Sequence, residues 1–321
     1  MLNMLLTGGA GFIGSHLTER LIADGHRVTV VDDFSTGRRG NLAHLEANPR
    51  FRLIEGSVHD EALMEDTIRE ADRVFHLASA VGVQLIMDEP VKSTRGIFQG
   101  TSVVLECCAR HQKRVLVTST SEVYGKGSAV PFREDDDTVS GPTSSRRWAY
   151  ACAKALGEFL ALAHWRQNHL PVAVVRLFNT VGPRQTGQYG MVVPRFVEAA
   201  LAGEPLIVYG DGEQRRCFVH VLDVVEALVQ ILEQPACFGQ VINLGSDREI
   251  SINGLAELVL EVTGSRSEIR HVPYSEVFGE GFEDMLRRVP CLGRAARLIG
   301  YQPTRDLRSV VADVASSQVG V

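Results

Sequence analysis

No run in the 321-residue sequence is long and uncharged enough to span a bilayer. Even the apolar stretch Val219–Leu232 is broken by His220, Asp223 and Glu226. The start, Met1–Leu6, is apolar but has no basic flank and runs straight into glycines, so it reads as a first strand and not as a leader. A surplus of positive charge is also missing: 33 Lys and Arg against 39 Asp and Glu leave a net charge of -6. That balance argues against a nucleic-acid or anionic-membrane surface and confines any phosphate-binding residues to a local site. The six cysteines show no CxxC pair and no Cys/His ligand spacing, and Cys107-Cys108 are simply neighbours. Neither a metal site nor a disulfide framework is expected, and reduced thiols in a cytoplasmic protein are. Internal repeats and low-complexity linkers are absent as well.

What remains is an ordinary globular composition, 45% apolar and 22% charged. Short apolar runs at Met4–Thr7, Val28–Val31, Phe51–Ile54, Val74–Leu77, Val115–Thr118 and Val172–Leu177 read as strands. Between them lie segments of helical periodicity at Ile13–Asp24, Glu61–Glu70, Val91–Gln112 and Trp148–Gln167. Fully apolar strands alternating with amphipathic helices predict an α/β fold, a doubly wound parallel sheet of the Rossmann type covered on both faces. Such sheets bind ligands at the carboxyl ends of their strands. Beyond Asn179 the pattern loosens into Gly/Pro-rich loops, with one strand at Val241–Leu244 expected to return to the sheet. Residues 1–178 plus 215–245 are therefore expected to form the dinucleotide-binding domain, and 179–214 plus 246–321 a smaller mixed α/β substrate cap.

Directly after the first strand comes Thr7-Gly8-Gly9-Ala10-Gly11-Phe12-Ile13-Gly14, followed by a helix. Glycines at 8, 11 and 14 permit a tight turn, a close approach to a pyrophosphate and close helix–sheet packing. The amides of Phe12 and Ile13 open the helix toward the anion. Asp32 ends the second strand, where an acid accepts hydrogen bonds from the adenosine ribose and repels a 2′-phosphate, favouring NAD over NADP. Arg38 and Arg39 nearby are of the type that accepts a 2′-phosphate.

After the fifth strand the chain reads Thr118-Ser119-Thr120-Ser121-Glu122, and further on Tyr150-Ala151-Cys152-Ala153-Lys154 on a helix. The four-residue spacing puts phenol and ammonium on one helix face. A nearby ammonium favours phenolate, so Tyr150 is expected to act as a base well below the ordinary phenol value of about 10.

Together, Gly8-x-x-Gly11-x-x-Gly14, Asp32, Thr120, Tyr150 and Lys154 resemble the extended short-chain dehydrogenase/reductases, the NAD-dependent epimerase/dehydratase family, from Met4 to about Leu307. The resemblance implies a nucleotide diphosphate sugar as substrate, oxidised at a hydroxyl by Tyr150 and NAD, with Lys154 holding both the ribose and the tyrosine. It also implies substrate contacts from Asn179 and Pro183-Arg184, and from Val208-Tyr209-Gly210 with Gln214-Arg215-Arg216. Ser57 departs from the family, which often carries Asp there to meet the adenine.

Within the family, 4,6-dehydratases resemble Thr-Asp-Glu where this chain has Thr120-Ser121-Glu122, which is similar to UDP-glucuronate decarboxylases, including UDP-xylose synthase. Arg147-Trp148-x-Tyr150 and the stretch Tyr274–Pro290, with Gly279-Glu280-Gly281-Phe282 and Arg287-Arg288-Val289-Pro290, resemble the same group. That resemblance implies that Arg288 meets the sugar carboxylate or diphosphate. It also implies that the C4 ketone drives loss of CO2 from UDP-glucuronate, giving UDP-xylose or a UDP-4-keto-pentose. Thr120 and Tyr150 would hold the oxyanion, and Glu122 would place a carboxylate or its water near C5. A UDP-hexose or UDP-hexuronate 4-epimerase is the alternative. A non-catalytic NAD-sensing regulator is disfavoured, because both Tyr150 and Lys154 are retained. The Val91–Gln112 and Trp148–Gln167 helices resemble those that pair in family homodimers.

Overall fold

The computed structural model describes residues 1–79, 90–145, 148–187, 191–274, 276 and 287–319. Arg147 and the segment Gly279-Glu280-Gly281-Phe282 lie outside the described residues. Seven parallel strands form the main sheet, in the order β11-β6-β5-β4-β1-β2-β3. They are β1 (Asn3–Thr7), β2 (Arg27–Asp32), β3 (Phe51–Glu55), β4 (Arg73–His76), β5 (Arg114–Thr120), β6 (Val172–Leu177) and β11 (Val241–Leu244). Helices α1 (Phe12–Ala23) and α6 (Val221–Glu233) pack together, as do α2 (Glu61–Glu70), α3 (Pro90–Arg110) and α4 (Trp148–Asn168). One buried cluster joins Leu6, Leu17, Val30, Leu116, Val175 and Leu228, and a second joins Leu5, Met64, Val74, Val104, Val115 and Val174. Successive residues of one strand fall in different clusters because side chains alternate between faces, so every strand must be apolar on both.

Strand order reverses between β4 and β1, and this reversal opens a crevice at their carboxyl ends. A third cluster, including Val181, Phe196, Val208, Phe218, Leu255, Val259 and Val310, gathers α5 (Val192–Ala202), α7 (Ile252–Thr263) and α9 (Leu307–Val319) around β8 (Leu206–Tyr209). Helix α8 (Gly293–Ile299) goes the other way: Ala295 and Tyr301 join the cluster of the main sheet, and the helix packs on β11. Among the described residues, no helix is long and apolar enough to cross a membrane.

Candidate active site

The glycine turn is built as a dinucleotide cradle. Gly8 sits at φ 73°, in the left-handed region, and a Cβ there would lie 2.7 Å from the backbone nitrogen of Ala78. A Cβ on Gly14 would fall 2.2 Å from the Gly8 carbonyl, so only glycine lets α1 approach the turn this closely. Gly11 caps α1 with no side-chain hydrogen bond, leaving the first-turn amides, including those of Phe12 and Ile13, without a side-chain cap. These residues fit the pyrophosphate of NAD.

Asp32 is 7% exposed and accepts the Ala10 amide at 2.8 Å and the Phe34 amide at 2.9 Å, one on each oxygen. Burial raises its pKa, against the pull of those two amides. Each oxygen keeps a lone pair for a ribose hydroxyl. Arg39 is committed to Glu55 at 2.9 Å and lies over the Phe34 ring. Replacing Asp32 with alanine is expected to weaken NAD binding by about tenfold or more, the loss of a charge-assisted hydrogen bond. Titration with NAD and NADP checks this, and a wild-type preference for NADP would refute the assignment.

Thr120 ends β5, and its hydroxyl accepts the Glu122 amide at 3.2 Å, starting the single turn Ser121–Tyr124. Ser121 is buried within that turn. The turn packs on α4, which carries Tyr150 and Lys154. A side-chain hydrogen bond joins Tyr150 to Thr120.

The expected low phenol pKa is not what the structure holds. Burial comes first and the Glu122 carboxylate second, and both push Tyr150 above its ordinary value, opposed by the Thr120 hydrogen bond. Lys154 is 6% exposed. Burial pulls its pKa down to about 8, while Glu158 acts in the opposite direction. Its charge also acts on His76, a buried imidazole held between the hydroxyls of Thr7 at 2.8 Å and Thr101 at 3.1 Å and lowered to about 3, chiefly by burial. The Lys154 charge expected to activate the phenol is not among the groups that set its pKa; the Glu122 carboxylate is, and spacing within α4 does not reveal it.

That negative charge has its own partner. Arg288 donates from Nη1 to Oε1 of Glu122 at 2.7 Å. Its Nε is buried with no hydrogen-bond partner among the described residues. Arg288 lies on β14 (Arg287–Arg288), which pairs in parallel with β9 (Arg215–Cys217), so that Arg288 and Arg216 are register partners, both buried. Phe132 fixes the next residues: its amide donates to the Val289 carbonyl and its carbonyl accepts the Cys291 amide, both at 2.8 Å. The Phe132 ring stacks on Tyr124 of the turn after Thr120.

The remaining expected substrate residues divide. The Asn179 amide donates to the Cys217 carbonyl at 2.8 Å, tying its loop to β9. Tyr209 lies under the Arg195 guanidinium, 4.3 Å from its ring centre, at the end of β8. Arg184 donates from Nη2 to Glu19 of α1 at 2.5 Å, His44 pairs with the same carboxylate, and Arg184 Nη1 is buried with no hydrogen-bond partner among the described residues. The pairing with Glu19 spans 165 positions and no local pattern signals it. Sequence reasoning also missed Glu158 and Arg176. The signal available was the four-residue repeat Tyr150, Lys154, Glu158, which puts all three on one face of α4.

The model of the NAD dependent epimerase/dehydratase family matches residues 4–245, and the chain belongs to that family. It is 43% identical over 300 residues to the UDP-N-acetyl-alpha-D-glucosaminuronate decarboxylase of Bacillus cytotoxicus, covering 93% of this chain and 92% of that one. It is 39% identical to UDP-glucuronic acid decarboxylase 1 of Xenopus tropicalis, covering 95% and 69% of the two chains. The UDP-glucuronic acid 4-epimerase of Bacillus cereus, solved with UDP-glucuronic acid and NAD, superposes with a TM-score of 0.89 at 26% identity over 99% of both chains.

Proposed function

We propose that the protein is an NAD-dependent decarboxylase of a UDP-linked hexuronate, with UDP-glucuronate as substrate and UDP-xylose or a UDP-4-keto-pentose as product. The observation that carries this reading is the Glu122–Arg288 pair beside Thr120 and Tyr150. The two decarboxylase relatives support it.

When bound, NAD supplies the hydride acceptor for C4 and the donor for its later reduction. Tyr150 takes the proton of the 4-hydroxyl, and its hydrogen bond to Thr120 steadies the phenolate. The C6 carboxylate is then β to a ketone. The C5–C6 bond breaks, CO2 leaves, and the electron pair passes into an enolate whose oxyanion at O4 meets the Thr120 hydroxyl and the Tyr150 phenol. A proton from solvent, delivered through a water held at Glu122, then adds to C5 in place of the departed carboxylate. Arg288 orients the carboxylate before it leaves, and Arg216 and Tyr209 hold the nucleotide end. A raised phenol pKa makes the Tyr150 phenolate a stronger base for the 4-hydroxyl proton and its phenol a weaker acid.

With catalytic NAD, UDP-glucuronate is expected to yield CO2 and a five-carbon UDP-sugar by mass, and UDP-glucose to stay unchanged. The 43% relative is named for the 2-acetamido uronate, so that substrate is the second arm of the assay. Retention of all carbons with inversion at C4 would establish the 4-epimerase reading, which the Bacillus cereus neighbour favours.

The same proposal divides the chain into the sheet domain, 1–178 plus 215–245, and a substrate cap, 179–214 plus 246–321, with α8 lent back to the sheet. It also makes the enzyme a homodimer through α3 and α4, supported by the exposure of Leu156 and Phe159, one turn apart on the outer side of α4. Cytoplasmic placement rests on the six cysteines standing as free thiols.

A further inference from the structure

One buried carboxamide, which the mechanism above does not use, ties together the two stretches of chain that carry Glu122 and Arg288. Asn243 lies on β11, at the edge of the main sheet, and is fully buried. Its Oδ1 accepts the Tyr124 hydroxyl at 2.7 Å. Its Nδ2 donates to the Phe132 carbonyl at 3.0 Å and to the Cys291 carbonyl at 3.4 Å. Its backbone amide donates to Oε1 of Glu134 at 3.0 Å. Tyr124 closes the turn Ser121–Tyr124, which holds Glu122. Cys291 continues the ribbon that bears Arg288, and Phe132 fastens that ribbon through its main chain. The Tyr124 and Phe132 rings stack with centres 4.7 Å apart. One side chain therefore hydrogen-bonds the Glu122 turn on one side and the Arg288 ribbon with its clasp on the other.

Filling space does not require a carboxamide here. Replacing buried hydrogen-bonded partners with apolar groups of the same shape can be nearly neutral for stability. Hydrogen bonds add what an apolar contact lacks, a fixed direction and distance. The two N–H groups of Asn243 face two carbonyls and its oxygen faces a hydroxyl, so the amide fits one way round only. Reversing it would set oxygen against both carbonyl oxygens. The turn and the ribbon are thereby held at one offset, which stacked rings alone would let slide.

We propose that Asn243 is a positioning residue for the reaction: it keeps the turn bearing Glu122 and the ribbon bearing Arg288 in register, so that the two side chains meet at 2.7 Å. The proposal rests on Glu122 and Arg288 acting at the reacting centre, as the functional reading has them, but not on whether the substrate carboxylate is lost. Its size follows from how steeply reaction rates depend on placement, since a displacement of about 1 Å can cost about a hundredfold.

Asn243→Leu is expected to lower kcat for UDP-glucuronate by about tenfold or more, with KM within about twofold of the wild type. If that variant does not fold, Tyr124→Phe takes its place, because it loses one hydroxyl and keeps the ring that stacks on Phe132. The deciding measurement is a double-mutant cycle with Arg288→Ala. Once the guanidinium is gone there is no pair left to align, so the second substitution should lower kcat by less than about twofold more. A merely structural role predicts a lower melting temperature and the same fold-loss in both backgrounds, and that additive result would overturn the proposal. Counting substrate consumed, with products resolved by mass, reads the cycle equally for a five-carbon sugar or a C4 epimer, so failure of the decarboxylase reading shows separately. A crystal structure of Tyr124→Phe adds a test without substrate. Arg288 should have moved off Glu122, and a contact still at 2.7 Å would count against the proposal as firmly as additivity.

Discussion

Tyr150→Phe is expected to fold normally, keep its affinity for the cofactor and nucleotide sugar, and turn over roughly 10²–10⁴ times more slowly, the loss that follows removal of a general acid–base group. The ring keeps its place on α4, and only the hydroxyl that hydrogen-bonds Thr120 is lost. Product formation and binding should be measured on the same preparation. Turnover within threefold of the wild type would remove Tyr150 from the mechanism. The raised phenol pKa adds a second expectation. Since the Glu122 carboxylate helps hold it up, Glu122→Gln should let Tyr150 ionise at lower pH, a shift readable by ultraviolet titration of the phenolate.

Arg288→Ala should impair carbon loss more than any other step. The substitution removes the 2.7 Å contact to Glu122 and a buried, unpartnered Nε–H among the described residues. It also breaks the ion pair of Glu122 with Arg288, and Glu122 acts on the phenol. A preorganised charged donor aimed at the reacting group typically contributes about 10²–10³ in turnover, and CO2 release should fall by that factor. Affinity for UDP should change far less, because Arg216 remains. If CO2 release survives while only UDP affinity drops, Arg288 serves the diphosphate and not the carboxylate. If the wild type converts UDP-glucuronate to UDP-galacturonate, the decarboxylase reading fails while the roles of Asp32 and Tyr150 stand.

The core of the fold was legible because its signals are local. Each of the first six main-sheet strands is a short apolar run, and the observed ends lie within two residues of those read from sequence. The glycine turn and Asp32 were legible for the same reason: one turn, one helix start and one strand end carry the whole pattern. The two- and three-residue strands β7 (Thr180–Val181), β9, β10 (Val219–His220) and β14 were not, since two residues cannot show a period. Charge partners were the other blind spot. Thr120, Tyr150 and Lys154 are named by spacing, but the charges acting on Tyr150 and Lys154 come from Glu122 and Glu158, which pair with Arg288 and Arg176 across as many as 166 positions. Arg184 shows the same thing in reverse, since its contact with Glu19 depends on which acid the folded chain brings near.

The clasp at Phe132 has a consequence for how such an enzyme changes its product. Both hydrogen bonds that hold Val289 and Cys291 are made by main-chain atoms, so the strand bearing Arg288 is seated whatever side chain occupies position 288. Oxidation is assigned to groups on the sheet and on α4. What becomes of the ketone is assigned to a side chain displayed on a separately fastened ribbon. Substitution at that one place can change the fate of the intermediate while the ribbon that displays it stays seated, which offers a lineage a short mutational path between outcomes and an engineer a single position to vary first.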